Sequence, residues 1–347
     1  MKHSSIIAVA LGALAISCAN QSEGGKYTVT APAKAEDAGK MAYIVNYDSG
    51  DKVDSTLIEG ESIVMSGNIA TAIPARLIVG SRRASTFILE AGDITIDSLG
   101  TASGTKLNKE LDEYMAAGDS LAAAFSKADT DSARQVIEGA YNELTQTAID
   151  TQAGNPIGFF AFTNLAYELT PDQLDSIVKV HPEYLEYSRI QKLMEMNKNL
   201  KATAPGTMFK DFTIEGDSTV SFSQYVGKGH FTVVDFWASW CGPCRRAMPL
   251  LKELYEKYHP QGLDVLGVAV WDKPEDTKEA IEQLGLPWPQ IINAQNVPTD
   301  IYGISGIPHI MLIGPDGTII DRNLHGDSLA NIVKRAMEHP ESFTDAQ

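Results

Sequence analysis

Cysteine is scarce in this sequence. Only three of its 347 residues are cysteines, Cys18, Cys241 and Cys244, which excludes a disulfide-stapled scaffold and a cysteine-rich zinc module. Basic residues are also few, with 28 lysines and arginines against 45 aspartates and glutamates and a formal net charge of −17. A nucleic-acid partner selects a basic face, so no nucleic acid is expected. Long apolar runs are missing as well. The best candidate, Ile6 to Ile16, is far too short at about 1.5 Å per residue to cross a hydrocarbon core of about 30 Å. There is no internal repeat and no low-complexity segment. The remainder, 44% hydrophobic and 21% charged, is ordinary globular composition with length enough for two or three domains.

The N-terminus has its own texture. Lys2 followed by the apolar Ile6–Ile16 reads as an export signal over residues 1–17. Leu14-Ala15-Ile16-Ser17-Cys18 resembles the lipobox of bacterial lipoproteins, in which the cysteine becomes the lipidated N-terminus. Ala15 departs from it, standing where leucine is usual. Plain cleavage after Ser17 is the alternative, because Ala15 and Ser17 are both small. Residues 18–25 are polar and glycine-containing, the composition of a flexible tether. The resemblance implies a membrane contact through lipid on Cys18.

Three textures follow. Over residues 26–100, short β-rich runs such as Met41–Tyr47 and Thr86–Leu89 alternate with turn chemistry such as Asp48-Ser49-Gly50-Asp51, which predicts seven strands in a small antiparallel β-sandwich. No catalytic constellation occurs there. Residues 101–203 show helical spacing, with Asn155-Pro156 and Thr170-Pro171 as N-cap and first-turn pairs and a break at His181-Pro182. Four or five helices are expected. Phe159, Phe160, Phe162 and Tyr167 form either core or the lining of a ligand groove. Residues 204–347 read as an α/β layer: strand Phe231–Trp237, helix Pro243–Tyr258, strand Leu263–Val270, helix Pro274–Leu284, a hairpin turning at Gly314-Pro315-Asp316-Gly317, and a last helix from Asp327 to Met337. That order predicts a mixed sheet flanked by helices.

The chemistry lies in Trp240-Cys241-Gly242-Pro243-Cys244. A sulfur at a helix N-terminus meets unpaired N–H groups and the positive end of the macrodipole, which favour its anion. Its pKa should fall below about 8.5, into the range of roughly 3.5–7.5. The second sulfur lies one turn on, close enough to form a disulfide. Cys241 is therefore the attacking thiolate and Cys244 the resolving thiol. A zinc site would need two more ligands at suitable spacing, and none is present. Haem attachment needs histidine after the second cysteine, where Arg245 stands. A purely structural disulfide would close too short a loop to constrain the unfolded chain.

The run Val233-Val234-Asp235-Phe236-Trp237-Ala238-Ser239-Trp240-Cys241-Gly242-Pro243-Cys244, with Pro249 beyond it and Ile307-Pro308 far downstream, is similar to the active-site signature of thioredoxins. Together with the export signal it resembles the TlpA/ResA-like branch of envelope thiol–disulfide oxidoreductase lipoproteins. In many of those a small β-domain of unknown function precedes the thioredoxin-like domain, and residues 26–100 look like it. The resemblance implies that Asp235 is a buried carboxylate relaying the Cys244 proton. It implies that Trp240 shields the cysteines, that the Gly242-Pro243 spacer accompanies reducing behaviour, and that Ile307 and a cis Pro308 dock a substrate strand. The redox-active Cys241–Cys244 pair would serve in place of any cofactor, with no metal. Partners would be exported proteins carrying disulfides, apocytochrome c among the options, and a membrane electron donor, at the envelope of a Gram-negative bacterium facing the periplasm or the outside. His309 departs from the family, which usually has a small hydroxyl residue after this proline; it either tunes Cys241 or is a bystander. Asp272 and Lys273 are helpers in Cys244 proton transfer or solvated turn residues. Two rivals stay open: a peroxiredoxin-type peroxidase, disfavoured because Ala238 stands where that chemistry has threonine or serine, and a partner-binding lipoprotein with an accessory redox pair.

Overall fold

The computed structural model describes residues 24–166, 169–216 and 219–343. The expected export signal, Cys18, most of the tether and Tyr167 lie outside the described residues. The chain divides into two compact units at Gln191/Lys192, and each is taken by itself.

Among the described residues the first unit begins with eight strands: β1 (Gly25–Pro32), β2 (Met41–Asn46), β3 (Lys52–Leu57), β4 (Ser62–Ile69), β5 (Ile73–Val79), β6 (Arg82–Leu89), β7 (Gly92–Ile96) and β8 (Ala102–Ser103). They form two four-stranded sheets, ordered β4-β1-β7-β8 and β3-β2-β5-β6. Alternating residues such as Val29, Ile44, Leu77, Phe87 and Ile94 are buried in one core, as period-two patterning requires when one face of each sheet is covered. Two details depart from the expected antiparallel arrangement of seven strands. β1 and β7 run parallel, and the two-residue β8, too short to show alternation, adds an eighth strand.

Four helices follow in this unit, α1 (Lys106–Ser126), α2 (Asp131–Thr151), α3 (Pro156–Leu165) and α4 (Pro171–Val180), and α5 (Ser188–Ala202) crosses the unit boundary. Asn155 caps α3 through the Ile157 N–H, and Thr170 with Gln173 forms a capping box on α4, so both expected caps form. Phe159, Phe160 and Phe162 are buried. Phe159 stacks on Tyr187 at 4.3 Å and Phe162 meets Tyr184 at 4.8 Å, so core packing holds rather than a groove. The N-cap of α1, Thr105, makes no side-chain capping bond. Glu90 supplies it instead, its Oε1 accepting the Leu107 and Asn108 N–H groups at 2.8 and 3.2 Å. Glu90→Ala would leave two first-turn donors short of a partner. It should cost about 1–3 kcal/mol, read as a lower denaturant midpoint at unchanged slope.

In the second unit a short hairpin, β9 (Thr213–Ile214) and β10 (Val220–Ser221), precedes a five-stranded sheet of β11 (Phe231–Trp237), β12 (Leu263–Ala269), β13 (Gln290–Ile291), β14 (His309–Ile313) and β15 (Ile319–Arg322). The order is β13-β12-β11-β14-β15. β11 pairs parallel with β12 and antiparallel with β14, the mixed sheet the sequence predicts. The helices are α6 (Gly242–Tyr258), α7 (Pro274–Leu284), α8 (Val297–Tyr302) and α9 (Gly326–Glu338). Every residue of β11 is buried, because the central strand is covered on both faces. Val233 and Trp237 face one layer, with Met248 and Leu251 of α6 and Val333 of α9. Val234 and Phe236 face the other, with Phe212, Phe222 and Tyr302. Among the described residues no helix is long and apolar enough to cross a membrane.

Candidate active site

β11 ends at Trp237, and a four-residue loop carries the chain to α6. Cys241 is the N-cap of that helix, and its Sγ accepts the Cys244 N–H at 3.2 Å. Gly242 and Pro243 form the first turn, where proline costs nothing because its missing N–H would be unpaired anyway. Pro249 lies inside the same helix. The cysteines are joined, S–S 2.00 Å with Cα atoms 5.3 Å apart. Cys241 is 3% exposed and Cys244 fully enclosed, so of the two sulfurs the leading one lies nearer to solvent.

Around the pair, Trp240 is 61% exposed, and its indole N–H donates to the Trp271 carbonyl at 2.9 Å. Ile307 packs against the cluster that contains both cysteines, and the Ile307–Pro308 peptide bond is cis.

Asp235 is fully buried, paired across β11 with Gly267 and Ile310. Its neighbours two residues away, Val233 and Trp237, share a cluster with Cys241 and Cys244. Strand alternation therefore aims the Asp235 carboxyl to the cysteine side of the sheet. Neither carboxyl oxygen has a hydrogen-bond partner among the described residues, and burial alone pushes its pKa up to about 7. A strand-end acid in solvent is thereby ruled out.

His309 does the opposite. Ile310 and Leu312 face the cysteine layer, whereas Met311 and Ile313 face the other. His309 has the parity of the latter pair and lies edge-on to Phe236 at 6.1 Å. Burial, and after it the Arg322 guanidinium, holds its pKa down to about 3, so the ring is neutral. Arg322 approaches its Nε2 at 3.2 Å and also donates to the Thr203 carbonyl and hydroxyl and to the Tyr302 carbonyl. His309 does not tune Cys241, because the sheet lies between them.

Asp272 is not a solvated turn residue. It is 6% exposed, and its carboxylate accepts the Ser239 N–H at 2.7 Å, the Ser239 hydroxyl at 2.9 Å and the Thr277 hydroxyl at 2.8 Å. Ser239 lies in the loop that delivers Cys241. A cue was available in its placement at the C-terminal end of a strand, where helper residues gather. Lys273, next to it, is exposed.

Residues 205–322 match the AhpC/TSA family, and residues 27–111 match a domain of unknown function, DUF4369. Over 118 residues the chain is 35% identical to the thiol-disulfide oxidoreductase ResA of Geobacillus thermodenitrificans, covering 34% of this chain and 65% of that protein. It is 33% identical to ResA of Geobacillus kaustophilus over 120 residues, covering 34% and 68%. The chain thus spans about two thirds of the length of these relatives. A solved thioredoxin domain of a thiol-disulfide oxidoreductase from Bacteroides vulgatus is 32% identical, covering 39% of this chain and 98% of its own, with a TM-score of 0.35. A bonded cysteine pair at a helix tip, set in a sequence a third identical to such relatives, shows that the chain belongs to the thioredoxin-like thiol–disulfide oxidoreductases of the ResA kind.

Proposed function

We propose that the protein reduces disulfides of exported proteins through Cys241 and Cys244. The observation that carries this reading is Cys241 Sγ at the α6 N-terminus, accepting the Cys244 N–H at 3.2 Å, with the buried Asp235 on the same side of the sheet. In the reduced protein the Cys241 thiolate attacks one sulfur of a substrate disulfide. A mixed disulfide forms and the other substrate sulfur leaves as a thiolate. Asp235 takes the Cys244 proton, directly or through water, and the Cys244 thiolate attacks Cys241 Sγ. The second substrate thiolate leaves, the Cys241–Cys244 bond closes, and two electrons have passed to the substrate. Trp240 and the Ile307–Pro308 segment provide the docking surface. A membrane electron donor returns the pair to the dithiol, which acts without metal or organic cofactor. Lipid on Cys18 holds the protein at the cell envelope, facing the periplasm, and exported apocytochrome c is one substrate of the required kind.

The test is direct. Reduced protein should accelerate reduction of insulin disulfides well beyond an equal concentration of a free dithiol, and should not consume peroxide at a comparable rate. Peroxide consumption without disulfide reduction would replace this reading with the peroxidase one.

A further inference from the structure

We propose that Asp272 is a positioning residue for the Cys241 sulfur, holding the loop that delivers it through the two hydrogen bonds from Ser239. The proposal rests on Cys241 being the attacking group.

The Asp272 carboxylate is saturated in a way only a carboxylate can be. Oδ2 accepts the Ser239 N–H at 2.7 Å and the Thr277 hydroxyl at 2.8 Å, while Oδ1 accepts the Ser239 hydroxyl at 2.9 Å and the Lys273 N–H at 3.0 Å. Each oxygen faces donors and nothing else. An amide has one acceptor end and one donor end, so asparagine in either orientation turns its NH2 group against a backbone N–H, that of Ser239 or that of Lys273, which cannot accept. The site is therefore matched to a carboxylate rather than an amide, and it is 6% exposed, where an unmatched donor is costly.

What the carboxylate joins matters as much as how. It connects the end of β12, the first turn of α7 and the loop two residues before Cys241. A second strut runs beside it. Trp271 takes a left-handed backbone, φ +54°, a strained conformation for a bulky residue. With that turn its carbonyl accepts the Trp240 indole N–H. The Asp272 carbonyl in turn accepts the Gln295 amide at 2.7 Å. Ser239 and Trp240 are thus both tied to consecutive residues, Asp272 and Trp271. The Cys241 sulfur owes its preference for the anion to its alignment with the first-turn N–H groups of α6. A loop released at Ser239 lets the sulfur drift off that axis.

The experiment follows the rate of alkylation of the reduced protein against pH, with mass spectrometry reporting the Cys241 adduct. D272N should lower the thiolate fraction of Cys241 at neutral pH about three- to tenfold, through an upward shift of its titration. S239A, which keeps the N–H bond and loses the hydroxyl bond, should shift it the same way by less. T277V removes a donor from the same oxygen without touching the loop and should leave the titration in place even if the melting temperature falls. A Cys241 titration unchanged in both D272N and S239A would overturn the proposal and leave Asp272 a structural residue. A downward shift in D272N would also overturn it, since that is what removing a bare negative charge near the sulfur does. If D272N does not fold, S239A and T277V decide alone. None of these readouts needs a substrate, so their failure is distinct from a failure of insulin reduction.

Discussion

Cys244→Ser should turn the protein into a trap that forms mixed disulfides with its substrates and does not release them. Cys241 remains the helix N-cap in that variant, so the first attack proceeds. A serine hydroxyl cannot become an effective nucleophile with a carboxyl group titrating near neutrality as its proton acceptor, so the closing step stops. Cys241→Ser should form no adduct at all, because Cys244 is fully enclosed. Each variant alone should lower turnover by roughly three orders of magnitude or more. The double variant should be no worse than the singles, since the pair acts as one unit. Non-reducing electrophoresis of envelope fractions reads the difference as a ladder of adducts present only with Cys244→Ser, and the captured proteins identify the physiological substrate. Equal ladders from both variants would mean that Cys241 is not the attacking sulfur.

Asp235→Asn should stabilise the oxidised protein while slowing its turnover. The carboxyl of Asp235 is raised from 3.8 to about 7 by burial, so the folded chain holds that proton more tightly than the unfolded chain does. Its favourable contribution is complete below about pH 4 and is lost as pH rises through about 7, where a buried, unpartnered anion must be carried. Asparagine keeps the shape of the protonated acid and never ionises. The stability difference between variant and wild type should therefore be small below pH 4, grow across the interval, and reach on the order of 4 kcal/mol above pH 7. Denaturant midpoints at several pH values measure it. Turnover should drop about a hundredfold with loss of the proton acceptor, and the rise in rate through about pH 7 should flatten. A stability difference between variant and wild type that is no larger at pH 8 than at pH 4 would mean that Asp235 is not the ionising group.

The cysteine pair was legible from the sequence because its environment is local, and Asp235 was legible through its place in a thioredoxin-like signature. The CGPC run before a helical pattern announces the helix tip, whereas the buried carboxyl of Asp235 is what the resemblance of Val233–Cys244 to thioredoxins implies. The caps at Asn155 and Thr170 were equally plain, since each needs only its next few residues. Asp272 was legible only as a candidate helper, not as a tie to a particular loop. Its partner Ser239 is 33 positions away in sequence, and no periodicity connects a residue after one strand to a loop after another. The sequence left His309 open between a neighbour of Cys241 and a bystander because its place after Pro308 says nothing about which side of a sheet a side chain takes; one position of register decides it. The two-residue strands β8 and β13 escaped notice because alternation cannot be seen in two residues.

The Arg322 guanidinium has a bearing on how portable the catalytic half of this protein is. It reaches the carbonyl and hydroxyl of Thr203 and the carbonyl of Tyr302, so the closing turn of α5 is bonded into the edge of the sheet. The recognisable pattern starts one residue later, at Ala204-Pro205-Gly206. A fragment trimmed to that pattern would strip a partly enclosed cation of half its acceptors. The redox module is therefore transferable only with its upstream helix attached, and grafts or circular permutants should be severed ahead of α5, which begins at Ser188, rather than at the visible seam.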